Sequence, residues 1–175
     1  MKAKLTCGIV AAILTLVLSG CSGHHMHGVS GISDEQAQNW KDAAAQYKAC
    51  KKVRWDKAVA YAPQWNQLVS GPDDPQYLEK MTSKAPVTKA LKESLIKYRP
   101  EQIACRKALL ESLGDSNQAV KVMYQKNFNV LDGGIVMILD GKLKTMGEVN
   151  QAYVAYNNGV AERRAQLTAH TLKSQ

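Results

Sequence analysis

Four consecutive residues, His24-His25-Met26-His27, form the densest set of metal-ligand side chains in the chain. Neutral imidazoles beside a thioether suit copper, nickel or zinc, and so short a run can wrap one ion without help from a fold, as an open and weak site. Cys21 stands three residues earlier and would supply a thiolate if its sulfur were free. The competing reading is a polar tether in which histidine is tolerated because nothing packs against it. The remaining histidine, His170, stands alone near the chain end. Catalytic patterns are missing: there is no G-x-S-x-G elbow, no H-E-x-x-H pair and no glycine-rich phosphate loop. A Ser/His or Cys/His couple would have no rigidly placed base. The sequence therefore reads as that of a non-enzyme without a dedicated cofactor, with weakly held Cu, Ni or Zn at His24, His25, Met26 and His27 as the alternative.

The residues before Cys21 bear on its role. Lys2 and Lys4 precede an apolar run from Leu5 to Leu18, the layout of a secretory leader. A helix needs about 20 apolar residues to cross roughly 30 Å of hydrocarbon, and this run is shorter, so residues 1–20 are expected to be removed. The segment Leu18-Ser19-Gly20-Cys21 resembles the lipobox of bacterial lipoproteins. That resemblance implies a diacylglycerol on the Cys21 sulfur and cleavage just before it, which takes Cys21 out of any histidine site. An ordinary leader whose cleavage site abuts a cysteine is the rival. One acyl chain binds a membrane only reversibly, at about 0.8 kcal/mol per buried methylene; the two or three chains of a lipoprotein imply a permanent anchor. Ser22 occupies the place where an aspartate commonly signals inner-membrane retention in Gram-negative lipoproteins, so the resemblance implies the outer membrane, facing the periplasm.

Without its first 20 residues the chain of 175 keeps 155, enough for one domain with its own core. The leader holds two of the 23 basic residues and none of the 15 acidic ones, which leaves a net charge of +6. For an exported lipoprotein this points away from nucleic acid and toward envelope phosphates or an acidic protein partner. Lys48, Lys51, Lys52, Arg54 and Lys57 concentrate that charge in a basic band interleaved with Trp55. It reads either as the solvated face of an amphipathic helix, its aliphatic stems covering apolar neighbours, or as a partner-binding surface. With Cys7 in the leader and Cys21 lipidated, Cys50 and Cys105 remain as an even pair and are expected to be bridged in an oxidising compartment. Two buried free thiols, or a reactive pair, are the other readings.

The elements that would hold these residues are helical throughout. Residues 21–32 read as a Gly/Ser/His tether. Ser33-Asp34-Glu35-Gln36 is a capping box that opens a single domain over 33–175. Trp40, Ala44, Tyr47, Ala58, Tyr61, Trp65 and Leu68 recur at helical spacing, interrupted at Pro63. The turn-rich 69–76 stretch predicts a loop. Pro86 suits a first helical position ahead of Val87, Leu91 and Leu95, and Pro100 a second one ahead of Ile103, Leu109, Leu110 and Leu113, closed by Gly114. Asp115 and Ser116 offer caps for a helix carrying Val120, Tyr124, Leu131, Ile135 and Ile138 through Gly133-Gly134. Over 136–145, Asp140-Gly141 between apolar arms also signals a small hairpin, against which stands the marginal stability of an isolated two-stranded pair. Thr145 with Glu148 caps a last helix striped by Val149, Tyr153, Tyr156, Val160 and Leu167, which Asn157-Asn158-Gly159 threatens to break. The predicted architecture is an all-α bundle of four to five helices stapled by Cys50–Cys105.

Three functional classes follow. The first is a non-catalytic protein-binding lipoprotein of the envelope, of the assembly-factor, pilotin or immunity type. The second is the metal-binding lipoprotein. The third is a cell-wall enzyme, since Glu111-Ser112 resembles the glutamate-serine start of lytic transglycosylase motifs, although their glycine-rich and aromatic companions are absent.

Overall fold

A computed structural model describes residues 33–115 and 118–173. Cys21, the His24–His27 run and Ser116 lie outside them, as does the His170 side chain. The architecture is an all-α bundle with six helices among the described residues: α1 (Asp34–Tyr61), α2 (Tyr77–Met81), α3 (Lys89–Lys97), α4 (Arg99–Ser112), α5 (Gln118–Leu139) and α6 (Met146–Lys173), with a 3-10 turn over Pro63–Gln67. Five of these are the expected segments; α2, only five residues long, is an addition inside the connection that follows Val69.

Local chemistry sets most of the boundaries. The Ser33 hydroxyl accepts from the Gln36 amide at 3.1 Å while Gln36 Oε1 accepts from the Ser33 amide at 2.8 Å, a complete capping box. Thr145 and Glu148 repeat that reciprocal pair at the start of α6, at 3.3 and 2.9 Å. Pro63 cannot continue α1 and instead opens the 3-10 turn. The expectation for Pro86 fails: Pro86 pairs with Thr145 in an isolated antiparallel bridge, and α3 starts three residues later behind Thr88, whose hydroxyl accepts from the Leu91 amide. Thr88 wins because its side chain supplies the acceptor that an orphan amide of the first turn needs. There is no hairpin at 136–145 among the described residues. Helix α5 runs on to Leu139 and closes on Gly141, at φ +72°, with the Lys142 and Leu143 amides both donating to the Met137 carbonyl. Asn157-Asn158-Gly159 does not break α6.

The closest backbone approaches pair α1 with α4 and α5 with α6. Cys50–Cys105 clips the first pair, Cα to Cα 5.8 Å. Two apolar cores form between the layers. One gathers Ala43, Leu109, Leu113, Val120, Met123 and Phe128; the other gathers Ala58, Trp65, Leu91, Ile138, Met146 and Val149. On α1 Ala58 of the expected stripe is buried, but Ala43 takes the place expected for Ala44, and Tyr61 and Ile103 are exposed.

Candidate functional site

Between the two cores the bundle is filled by large polar side chains. On α1, Tyr47 packs on one core and Trp55 on the other, and Arg54 between them buries its Nε close to Tyr47 and Arg106. Gln102 and Arg106 of α4 and Asn127 of α5 are buried near it, with Asp132 of α5 and Tyr156 and Arg163 of α6 half-buried beside them. Long side chains there suit a gap between helix pairs whose backbones stay apart. The result is an arginine belt with little acidic compensation.

Asp132 is its counter-ion. One oxygen, Oδ1, accepts from Arg99 Nη1 at 2.6 Å and from Arg106 Nη1 at 2.7 Å. Burial pushes the Asp132 carboxyl up, and the two guanidinium hydrogen bonds outweigh it, leaving its pKa lowered. Arg106 stacks its guanidinium 4.8 Å from the Phe128 ring centroid, which desolvates the charge and partly repays it by cation–π attraction. Arg163 donates through Nε to Asn127 Oδ1 in a short hydrogen bond. That placement depends on Gly159, where an added Cβ would meet Arg163 Nη1 at 3.1 Å. Burial pushes the Tyr47 phenol up to about 12, against the opposing fields of Arg106 and Arg54. Tyr156 is raised for the same first reason.

The structure divides the basic band. Lys48, Lys51, Lys52 and Lys57 are at the surface, and Arg54 turns inward. Lys52 pairs with Asp56 at 2.6 Å and Lys57 with Glu101 at 3.1 Å, so these two are neutralised locally. Lys48, Lys51 and Arg54 hold no ion pair among the described residues, and α6 adds Arg164, equally unpaired, to the same face. Lys51 rests its ammonium 4.9 Å from the Tyr47 ring centroid. Crowding by protein, and then the charges of Arg164, Arg54 and Lys48, lower its pKa. Arg164 has no local signal in the sequence, because its partners in this face are more than a hundred residues away.

A groove of about 570 Å³ runs between α4 and α5, with Arg99, Arg106, Lys107, Lys121, Phe128 and Asp132 in its walls. Glu111, the glutamate of the transglycosylase-like pair, lies on its exposed rim 3.7 Å from Lys107. Among the described residues no group of three or more His, Cys, Asp or Glu is placed to hold a metal ion, and no helix is long and apolar enough to cross a membrane. No protein-family model, no curated protein and no solved structure matches the chain.

Proposed function

We propose that the protein is a lipid-anchored, non-catalytic binding module of the bacterial envelope, held at the outer membrane through Cys21, that captures an acidic protein segment on the face where α1 meets α6. The observation that carries this reading is the cluster Lys48, Lys51 and Arg164: three cations from two helices on one face, backed by the inward-turned Arg54, with no carboxylate paired to any of them among the described residues. Like charges gathered in this way repel one another and raise the free energy of the unbound face, and an anionic partner relieves that cost on binding. A disulfide-clipped helical bundle fixes the geometry of the face, and a lipid on Cys21 with a 12-residue tether over 21–32 would hold it close to the bilayer. Extended at about 3.3 to 3.6 Å per residue, that tether reaches roughly 40 Å.

A photo-crosslinking side chain at Ala45, exposed on α1 one turn before Lys48 and Ala49, tests the reading in living cells. The expected result is a discrete crosslink to an acidic envelope protein that disappears when Lys48, Lys51 and Arg164 are reversed to Glu. A crosslink that survives the reversal shows that the cations are only a solvated face.

A further inference from the structure

Helix α5 leaves an apolar face uncovered. Val130 and Val136 are 48% and 51% exposed, Val122 and Met137 are exposed as well, and together with the exposed Lys126, Asn129, Gly133 and Asp140 they recur at helical spacing along one side of the helix. Asp140 keeps to this row although α5 ends at Leu139, because its amide still donates to the Val136 carbonyl. The middle of the face is bare. A Cβ added at Gly133 or Gly134 would meet nothing within 4 Å, and neither glycine has a positive φ. Nothing inside a single chain therefore calls for glycine there, where it weakens a helix relative to alanine. A glycine at such a place admits the close approach of another backbone.

The residues on either side of Gly133 are arranged symmetrically. Val130 and Val136 stand three positions away, Asn129 and Met137 four, and Lys126 and Asp140 seven. When two copies of one helix lie antiparallel about a two-fold axis, each residue before the axis meets the residue equally far beyond it on the other copy. An axis at Gly133 thus sets Val130 against Val136, Asn129 against Met137 and Lys126 against Asp140, each pair occurring twice. Both charges lack such a partner within the chain: neither Lys126 nor Asp140 is in an ion pair among the described residues. Lys92, which reaches the end of α5, donates to the Leu139 carbonyl. A carboxylate at a helix C-terminus opposes the macrodipole, so Asp140 gains from a cation brought to it.

We propose that this face joins two copies of the chain in an antiparallel homodimer, with the two-fold axis at Gly133, Val130 packed on Val136 and Lys126 paired with Asp140 of the second copy. None of these residues belongs to the α1/α6 face, so dimerisation and the capture of an acidic segment stand or fall separately. One helix pair is at the small end of specific interfaces, and the dimer dissociates on dilution.

Sedimentation equilibrium of the full chain in density-matched detergent, over a wide range of protein concentrations, measures the association. The expected result is a monomer–dimer equilibrium. Lys126→Glu and Asp140→Lys should each weaken it at least tenfold, because each sets like charges opposite one another twice. The double variant carrying both substitutions should recover most of the loss, since its two reversed charges face each other across the axis. Gly133→Leu should abolish the dimer with Tm unchanged or raised, a combination that a folding defect does not produce. Crosslinking with a short bis-maleimide reads the register against the wild-type background. Gly133→Cys should crosslink to itself, and Lys126→Cys only when mixed with Asp140→Cys, because the two copies of position 126 lie about 21 Å apart along the axis at 1.5 Å per residue. The proposal is overturned by a monomer at every concentration, by a dimer indifferent to Gly133→Leu and to charge reversal, or by a double variant that associates no better than the single ones.

Discussion

At the scale of single residues, polar side chains hold the connections that the apolar cores leave open. Asn150, with no exposed surface, accepts from the Val69 amide at 3.0 Å and donates to the Gln67 and Lys80 carbonyls at 3.0 and 2.9 Å. Asn150→Ala strands one buried and two partly buried backbone groups, and chemical denaturation should show a loss of about 3 kcal/mol, since each unsatisfied buried group costs roughly 1–3 kcal/mol. Asp74 ties the same region: it accepts from the Ser70 and Gln76 amides and from Lys80 at 2.9 Å, and the Ser70 amide first, then Lys80 and Gln76, hold its carboxyl well below the usual carboxylate range despite burial. Because the folded pKa lies below the unfolded one, about 3.9, Asp74 contributes stability that is complete above the unfolded value and is lost as pH falls through the folded value. Stability curves of the wild type and Asp74→Asn should therefore lie apart at pH 7 and converge below about pH 4; a constant separation down to pH 2 would refute this. Asn150 was not legible in the sequence, because its partners Gln67, Val69 and Lys80 lie 70 residues or more away; Asp74 bonds within six residues and shows in the sequence only as the turn-rich composition of 69–76.

At the scale of elements, sequence pattern and structure agree where the physics is local. Both capping boxes lie within four residues, and each was visible as a Ser/Thr followed by Gln or Glu. Helix α5 extends over Gly133 and Gly134 because its apolar spacing persists to Ile138. Pro86 departs from its expected helical position because a proline is equally at home in an extended bridge, and its partner there, Thr145, lies nearly sixty residues away. Gly147 illustrates a contact of the same long-range kind. At the first turn of α6 an added Cβ would meet the Ser83 carbonyl at 2.7 Å and the Met81 carbonyl at 2.9 Å, both backbone. Alanine is the better helix former by about 1 kcal/mol, yet Gly147→Ala should destabilise by about 2 kcal/mol, because overpacking against backbone forces a shift of the element; thermal unfolding at constant pH measures the sign. The Cys50–Cys105 clip closes a span of 55 residues between α1 and α4. In the chain-entropy model a loop of that length is worth about 4 kcal/mol, and a Cys50→Ser, Cys105→Ser variant should lose an amount of that order in denaturant titration.

At the scale of the whole molecule, the bundle is two apolar cores with an arginine belt between them and a cationic face where α1 approaches α6. The band from Lys48 to Lys57 was legible as charge but not as a surface. Asp56 and Glu101 neutralise two of its members, Arg54 turns into the belt, and Arg164 joins from the far end of the chain. The belt escaped the sequence because arginines on separate helices share no spacing rule. If the lipobox-like segment is processed as its resemblance implies, Cys21→Ala should abolish incorporation of labelled palmitate and leave an uncleaved precursor; label on that variant would contradict the anchor. The most direct test of the central claim is the affinity of the wild type for a purely acidic polypeptide, measured by fluorescence anisotropy at several salt concentrations, against a Lys48→Glu, Lys51→Glu, Arg164→Glu variant. The account predicts salt-sensitive binding by the wild type and at least a tenfold loss in the variant with helicity and Tm preserved, because exposed charges contribute little to stability. Equal affinity in the two proteins would contradict it.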